Sequence, residues 1–296
     1  MTNQSDIHDK TLRLGWCIFA VIVFGFVLAI RIRLLGIPLE RDEGEYAYAG
    51  QLMLQGIPPY KLAYNMKFPG TYAVYAAIMS IFGQTITGIH LGLLLVNAAT
   101  IALIFLLGRR LMNSTAGIAA ATTFAVLSMS PSVLGLAAHA TNFAMVFVLG
   151  GTLLILKLSQ SERHSFERIF ASGLLFSIGG LMKQPALLFI PFGAIYLLWD
   201  DVHRRFILKR ILLRNLIFWI AAIVPLAITC SFSGTQAYSI NSGSGQSGTL
   251  PNTALFLSVR YTVASGLYTG PCRFLVGALQ KPLEWTGDCG HWLDSA

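Results

Sequence analysis

Charge is scarce in this chain. Lys and Arg number 21 and Asp and Glu 13 among 296 residues, which makes 11% of the sequence charged, against about 25% in soluble domains. So few charges cannot cover a soluble globule of this size, and a content of 55% apolar residues excludes a disordered chain. Cysteine is scarce too. Cys17, Cys230, Cys272 and Cys289 show no CxxC or CxxH spacing, and a zinc site has no support. A cleavage site is missing after the first apolar run. Leu14 to Ile30 continues into Arg31-Ile32-Arg33 and reads as an uncleaved first span, not as a signal peptide. No internal repeat stands out. The net charge of +8 would point to nucleic acid in a soluble protein. Here the basic residues sit in short loops between apolar runs, where they set topology, and no nucleic-acid partner is expected.

What the sequence does have is long apolar stretches. They run over 14–30, 86–107, 115–138, 140–156, 169–182, 184–199 and 215–230, several near the ~20 residues that cross a bilayer. The reading is an all-α membrane protein, a polytopic bundle of about seven transmembrane helices. With the N-terminus in the cytoplasm, the segments 1–13, 108–114, 157–168 and 200–214 carry twelve lysines and arginines, while the opposite side up to residue 230 carries six. That asymmetry has the sign expected for cytoplasmic loops. A bacterial inner membrane is the expected location. Phe68–Gly83 is short, and crossing there would turn every later basic loop outward, so it is expected to lie in the interface with the rest of the first outer loop. The stretch 169–199 would be about 46 Å long as one helix, too long for a ~30 Å core. It is expected to form two helices with an outer hairpin at Lys183-Gln184-Pro185.

The chemistry concentrates in the segment 37–85. Four of the thirteen carboxylates, Glu40, Asp42, Glu43 and Glu45, fall within six positions. Residues 42–55 have helical character, ended by Gly56 and Pro58-Pro59. Asp42, Glu45 and Tyr46 then share one helix face. An N-cap accounts for Asp42 but not for three further acids. A carboxylate held at the mouth of a helical bundle can take the proton of a hydroxyl that attacks a sugar. The same acids leave a divalent cation open, but no metal ligand set and no cofactor is assigned.

Asp42-Glu43 soon after the first span, Tyr46, the Gly56-ended helix, Lys67-Phe68-Pro69, Phe82-Gly83 and the later Lys183-Gln184-Pro185 together resemble the GT-C glycosyltransferases of the protein O-mannosyltransferase and lipid A aminoarabinose-transferase type. The resemblance covers roughly 10–230. It implies a polyprenyl-phosphate-linked sugar donor, an inverting transfer to a lipid, glycan or protein acceptor on the extracytoplasmic face, and membrane lipid as surroundings. It implies Asp42 as catalytic base with Glu43 beside it, and Lys67 and Lys183 neutralising the lipid phosphate. Glu45, Tyr46, His139 and Asn142 complete the expected substrate-binding set. Where members often carry an acid near the start of the fourth span, this chain has His139-Ala140-Thr141-Asn142. Glu45 stands where the aminoarabinose transferases are often basic, which points to a different acceptor.

Other readings compete. His90 and His139 lie near span ends, where an interfacial histidine is the ordinary case. Trp16, Trp199 and Trp219 read as interface anchors. A small transporter or flippase subunit is the alternative class, but it favours carboxylates within spans and paired broken helices, and only one break is visible. Residues 1–230 read as the membrane domain and 231–296 as an extracytoplasmic tail. Half of 231–250 is Ser or Gly and none of it is charged, so the tail is expected to be poorly ordered. A Cys272–Cys289 pair is allowed there and stays undecided. The expectation is a chain without the family's C-terminal half, for instance after a frameshift near residue 230, and inactive alone. The oligomeric state is not legible.

Overall fold

The computed structural model describes residues 2–62, 67–157 and 165–243. Contacts divide the chain into two compact units, Met1–Thr249 and Leu250–Ala296. The second lies outside the described residues, as do 244–249, and with them most of the expected disordered tail and the Cys272–Cys289 question.

The described part is helical. The order is α1 Thr2–Arg33, α2 Arg41–Leu54, α3 Gly70–Phe82, α4 Ile86–Leu111, α5 Ser114–Leu127, α6 Ala140–Lys157, α7 Ser165–Met182, α8 Phe189–His203 and α9 Leu208–Gly243. Among the described residues, four segments are long and apolar enough to cross a membrane: Leu14–Arg33, Ile86–Leu111, Gln184–His203 and Leu208–Ser231. Gly70–Phe82, Ser114–Leu127 and Ala140–Leu156 are apolar but shorter.

Local signals set the boundaries. Gly56 ends α2 at φ 76°, a left-handed conformation that costs glycine least. There the Gly56 N–H donates to Met53 O at 3.0 Å and the Ile57 N–H to Leu52 O at 2.9 Å, the two bonds of a Schellman cap. The Thr85 hydroxyl caps α4 by accepting the Gly88 N–H at 3.0 Å, and the Asn113 side chain caps α5 by accepting the Ala116 N–H at 2.8 Å.

Two boundaries differ from the sequence reading. The expected span 115–138 is helical only to Leu127. The chain then folds into a 3-10 turn at Pro131–Val133, with Leu134 left-handed at φ 52°. Pro131 has no N–H to continue a helix, and the segment instead wraps over the bundle end. At the other extreme, α9 runs past residue 230 to Gly243, so the first part of the expected tail is helix. The break at 183–188 is present as expected, an extended Lys183 followed by a 3-10 turn over Gln184–Leu188.

Among the described residues, polar contacts tie the elements together at both ends of the bundle. At one end, the Arg110 guanidinium donates to Leu156 O at 3.0 Å, joining the 108–114 turn to the end of α6. Arg214 there donates to the Ser165 hydroxyl at 2.9 Å and pairs with the fully buried Asp201 at 2.9 Å, fastening α7, α8 and α9. The opposite end is built on a core of Tyr46, Tyr75, Met79, Leu93, Phe143 and Met182, and it holds the acidic helix.

Candidate active site

Two short close approaches bring the separated motifs together. A Cβ on Gly50 would lie 3.1 Å from the Ala76 N, so glycine lets α2 lie directly on α3. A Cβ on Gly70 would lie 2.5 Å from the Leu181 carbonyl oxygen, and the neighbouring Thr71 hydroxyl donates to Met182 O at 2.9 Å. The start of α3 is therefore pressed onto the end of α7. The two Lys-x-Pro motifs flank that contact, and Lys67 and Lys183 reach the same place although 116 positions separate them in the sequence.

The site is a string of polar contacts. Lys67 Nζ lies 3.5 Å from Asp42 Oδ2 and 3.6 Å from Glu45 Oε2. It donates to the Tyr46 hydroxyl at 3.2 Å and sits 4.7 Å above that ring's centre. His139 Nε2 lies 3.6 Å from Asp42 Oδ2, and its Nδ1 is 3.0 Å from the Thr141 hydroxyl. Lys183 Nζ donates to the same hydroxyl at 2.5 Å. The Tyr72 hydroxyl donates to Glu45 Oε1 at 3.3 Å, and the Tyr60 hydroxyl to the Lys67 carbonyl at 2.6 Å. Asp42 keeps 24% of its side chain exposed and stands at the N-terminal turn of α2, where the helix dipole favours an acid. Its two structured contacts fall on Oδ2. Oδ1 has only the outward-facing Arg41 at 3.9 Å among the described residues.

Glu43 sits differently from its neighbour. It is 1% exposed, and its Oε1 accepts the Ala138 N–H at 2.5 Å while its Oε2 accepts the Glu40 N–H at 2.8 Å. His90 Nε2 is 3.4 Å from Oε1, and His90 Nδ1 is 2.9 Å from the Leu35 carbonyl. The Tyr75 hydroxyl grips Ala138 from the other side, donating to its carbonyl at 2.7 Å. Arg31, counted in the sequence as a loop cation, is buried at the end of α1 and donates to Gly135 O at 3.0 Å and to the Ser128 hydroxyl at 2.9 Å. Asn142 donates to Ala137 O at 2.8 Å. Glu43, Tyr75, Arg31 and Asn142 thus hold the 128–139 segment that delivers His139.

The protonation states follow from these surroundings. Burial would push the Glu43 carboxyl up, but the His90 ring and the two backbone N–H groups outweigh it and hold it below the usual range. Burial lowers His139, with Lys183 adding to the effect and Asp42 opposing it, so the ring is held neutral. Burial lowers Lys183, with Asp42 opposing. Burial would also lower Lys67, but the Tyr46 hydroxyl and the nearby acids reverse the direction and keep it charged. Among the described residues, no group of three or more His, Cys, Asp or Glu side chains is arranged to hold a metal ion. Asp42 and Glu45, the pair best placed to share a cation, share the Lys67 ammonium.

The structure thus brings Asp42, Glu45, Tyr46, Lys67, His139 and Lys183 together, and it places Glu43 and Asn142 in the supporting structure around them. Sequence reasoning missed Thr141, Tyr72 and Tyr75, and it gave His90 no partner. A hydroxyl at Thr141 carries no signal until the break at Lys183 is seen to fold against it.

Apolar helices of membrane-crossing length with a partly exposed carboxylate near two lysines at one bundle end define a class, the integral-membrane proteins with a polar site at the end of a helical bundle. The chain matches the dolichyl-phosphate-mannose-protein mannosyltransferase family over residues 67–229, more than half of its length, and belongs to that family. It is accordingly a membrane glycosyltransferase of the GT-C type. No curated protein and no solved structure gives a significant match.

Proposed function

We propose that this site moves a sugar from a polyprenyl-phosphate donor to an acceptor hydroxyl, with inversion at the anomeric carbon. Asp42 is the general base. Its carboxylate takes the acceptor proton as the acceptor oxygen attacks the sugar. The bond from the anomeric carbon to the phosphate oxygen breaks, and the electron pair leaves on the lipid phosphate. Lys67 and Lys183 are the phosphate partners, since a lysine ammonium is a compact charge that meets an anion from several directions. The family's description names a dolichyl-phosphate-mannose donor and a protein acceptor. For this chain the donor class is a polyprenyl-phosphate sugar and the acceptor a lipid, glycan or protein. The segregation of basic loops supports a cytoplasmic N-terminus and an extracytoplasmic site, and a bacterial inner membrane is the residence proposed with it.

The observation that carries this reading is the convergence of Asp42, Lys67, His139 and Lys183 from four separate segments onto one partly exposed spot. A transporter reading has no comparable support. The test is transfer by the purified chain in liposomes from a panel of radiolabelled polyprenyl-phosphate sugars. Asp42→Asn is expected to lower the rate by about 10²–10⁴-fold with unfolding temperature unchanged, the contribution typical of a general base. No transfer by the wild-type chain from any donor refutes the activity. Equal rates for both chains refute the role of Asp42.

A further inference from the structure

The contacts of Thr141 fix more than the position of its neighbour. Lys183 carries only donors, so the Thr141 oxygen accepts at 2.5 Å and its own proton is left to donate elsewhere. His139 Nδ1 lies within reach of that proton, 3.0 Å from the hydroxyl oxygen, and the Thr141 backbone N–H approaches the same nitrogen at 3.4 Å. A ring nitrogen that faces two donors holds a lone pair. The proton of the neutral ring is then on Nε2, the atom that faces Asp42 Oδ2 at 3.6 Å. Every donor in the string points one way, from Lys183 through Thr141 and His139 to Asp42.

We propose that Thr141 is a positioning residue that locks His139 as the Nε2–H tautomer, and that His139 thereby holds Asp42 Oδ2 and leaves Oδ1 to receive the acceptor proton. This rests on the glycosyl-transfer reading of the site. The 3.6 Å contact is slightly longer than a hydrogen bond, as catalytic contacts are before substrate tightens them. The opposite tautomer would turn a lone pair toward the carboxylate and a proton toward two donors. A protonated ring would keep the Asp42 contact but set its Nδ1–H against the Thr141 backbone N–H, which can only donate. The string therefore works with neutral His139. The charged groups around the ring are Asp42 and Glu40 from the acidic segment, Lys67 from the loop before α3 and Lys183 from the break after α7, with the Tyr46 ring 6.5 Å away.

The experiment uses the full chain in detergent with ¹⁵N-labelled histidine. His139→Asn identifies the His139 resonances among the six histidines. The expected wild-type signature is a lone-pair nitrogen at δ1 and a protonated nitrogen at ε2, retained in Thr141→Ser. In Thr141→Val the two tautomers mix and the ring titrates at higher pH. In the transfer assay Thr141→Val lowers kcat by about 10–100-fold, on the scale of a misplaced reacting group, and Thr141→Ser recovers most of it. A wild-type ring protonated at δ1, or a Thr141→Val chain with unchanged tautomer and kcat, overturns the proposal. The wild-type spectrum decides even if the valine variant fails to fold. The expected tautomer without any transfer would sink the glycosyl-transfer reading and uphold the string. Transfer with the opposite tautomer would do the reverse.

Discussion

Glu43→Gln is the substitution that separates holding from chemistry. Both Glu43 oxygens accept a backbone N–H, from Ala138 and from Glu40, in a side chain that is 1% exposed. Glutamine keeps the shape but has one acceptor oxygen, so its NH₂ must face one of those N–H groups. His90 adds to the loss. Its Nδ1 is committed as a donor to the Leu35 carbonyl, so a proton shared between Nε2 and the carboxylate is what makes their 3.4 Å approach favourable. Removing one partner of a buried charge pair costs about 3–5 kcal/mol. At about 2–4 °C per kcal/mol for a domain of this size, the unfolding midpoint should fall by roughly 6–20 °C. The assay is thermal unfolding in detergent, with amide exchange across 128–142 as the local readout. The wild-type advantage should depend on pH with a fixed sign. The folded-state pKa of Glu43 lies below its ordinary 4.5, so the stabilisation is full above that value and is lost as pH falls through the lower folded one. A Glu43→Gln chain with its midpoint within about 2 °C of wild type and unchanged exchange would refute this reasoning.

Two further outcomes follow from the same geometry. Gly70→Ala places a methyl group against the Leu181 carbonyl oxygen, at a distance of 2.5 Å before any relaxation. It should cost about 1–3 kcal/mol in chemical unfolding and weaken donor binding as Lys67 and Lys183 separate; unchanged stability would mean the α3–α7 approach is not tight. Reporter fusions after residues 60 and 205 should lie on opposite sides of the membrane, and the same side for both would break the topology.

The sequence by itself determined the class of fold and the place of the acids. Apolar stretches separated by short basic loops allow one kind of structure in a bilayer, because each helix satisfies its own backbone groups. The Gly56 stop, the Lys183-Gln184-Pro185 break and the Asp42–Glu45–Tyr46 face are local signals, and the structure carries all three. The 128–139 segment is where sequence reading went astray. Its residues are apolar enough to pass for a span, and contacts from Arg31, Glu43, Tyr75 and Asn142 hold it as a folded strap. Tertiary structure alone decided how two adjacent carboxylates divide. Asp42 and Glu43 differ by one position on α2, and a helix turns about 100° per residue. That rotation points Glu43 into the bundle toward His90 and Ala138, and leaves Asp42 at the surface between Lys67 and His139. Which direction is inward depends on α3 packing against α2 and on His90 and the strap reaching Glu43, and no local pattern in residues 40–45 records where those segments go.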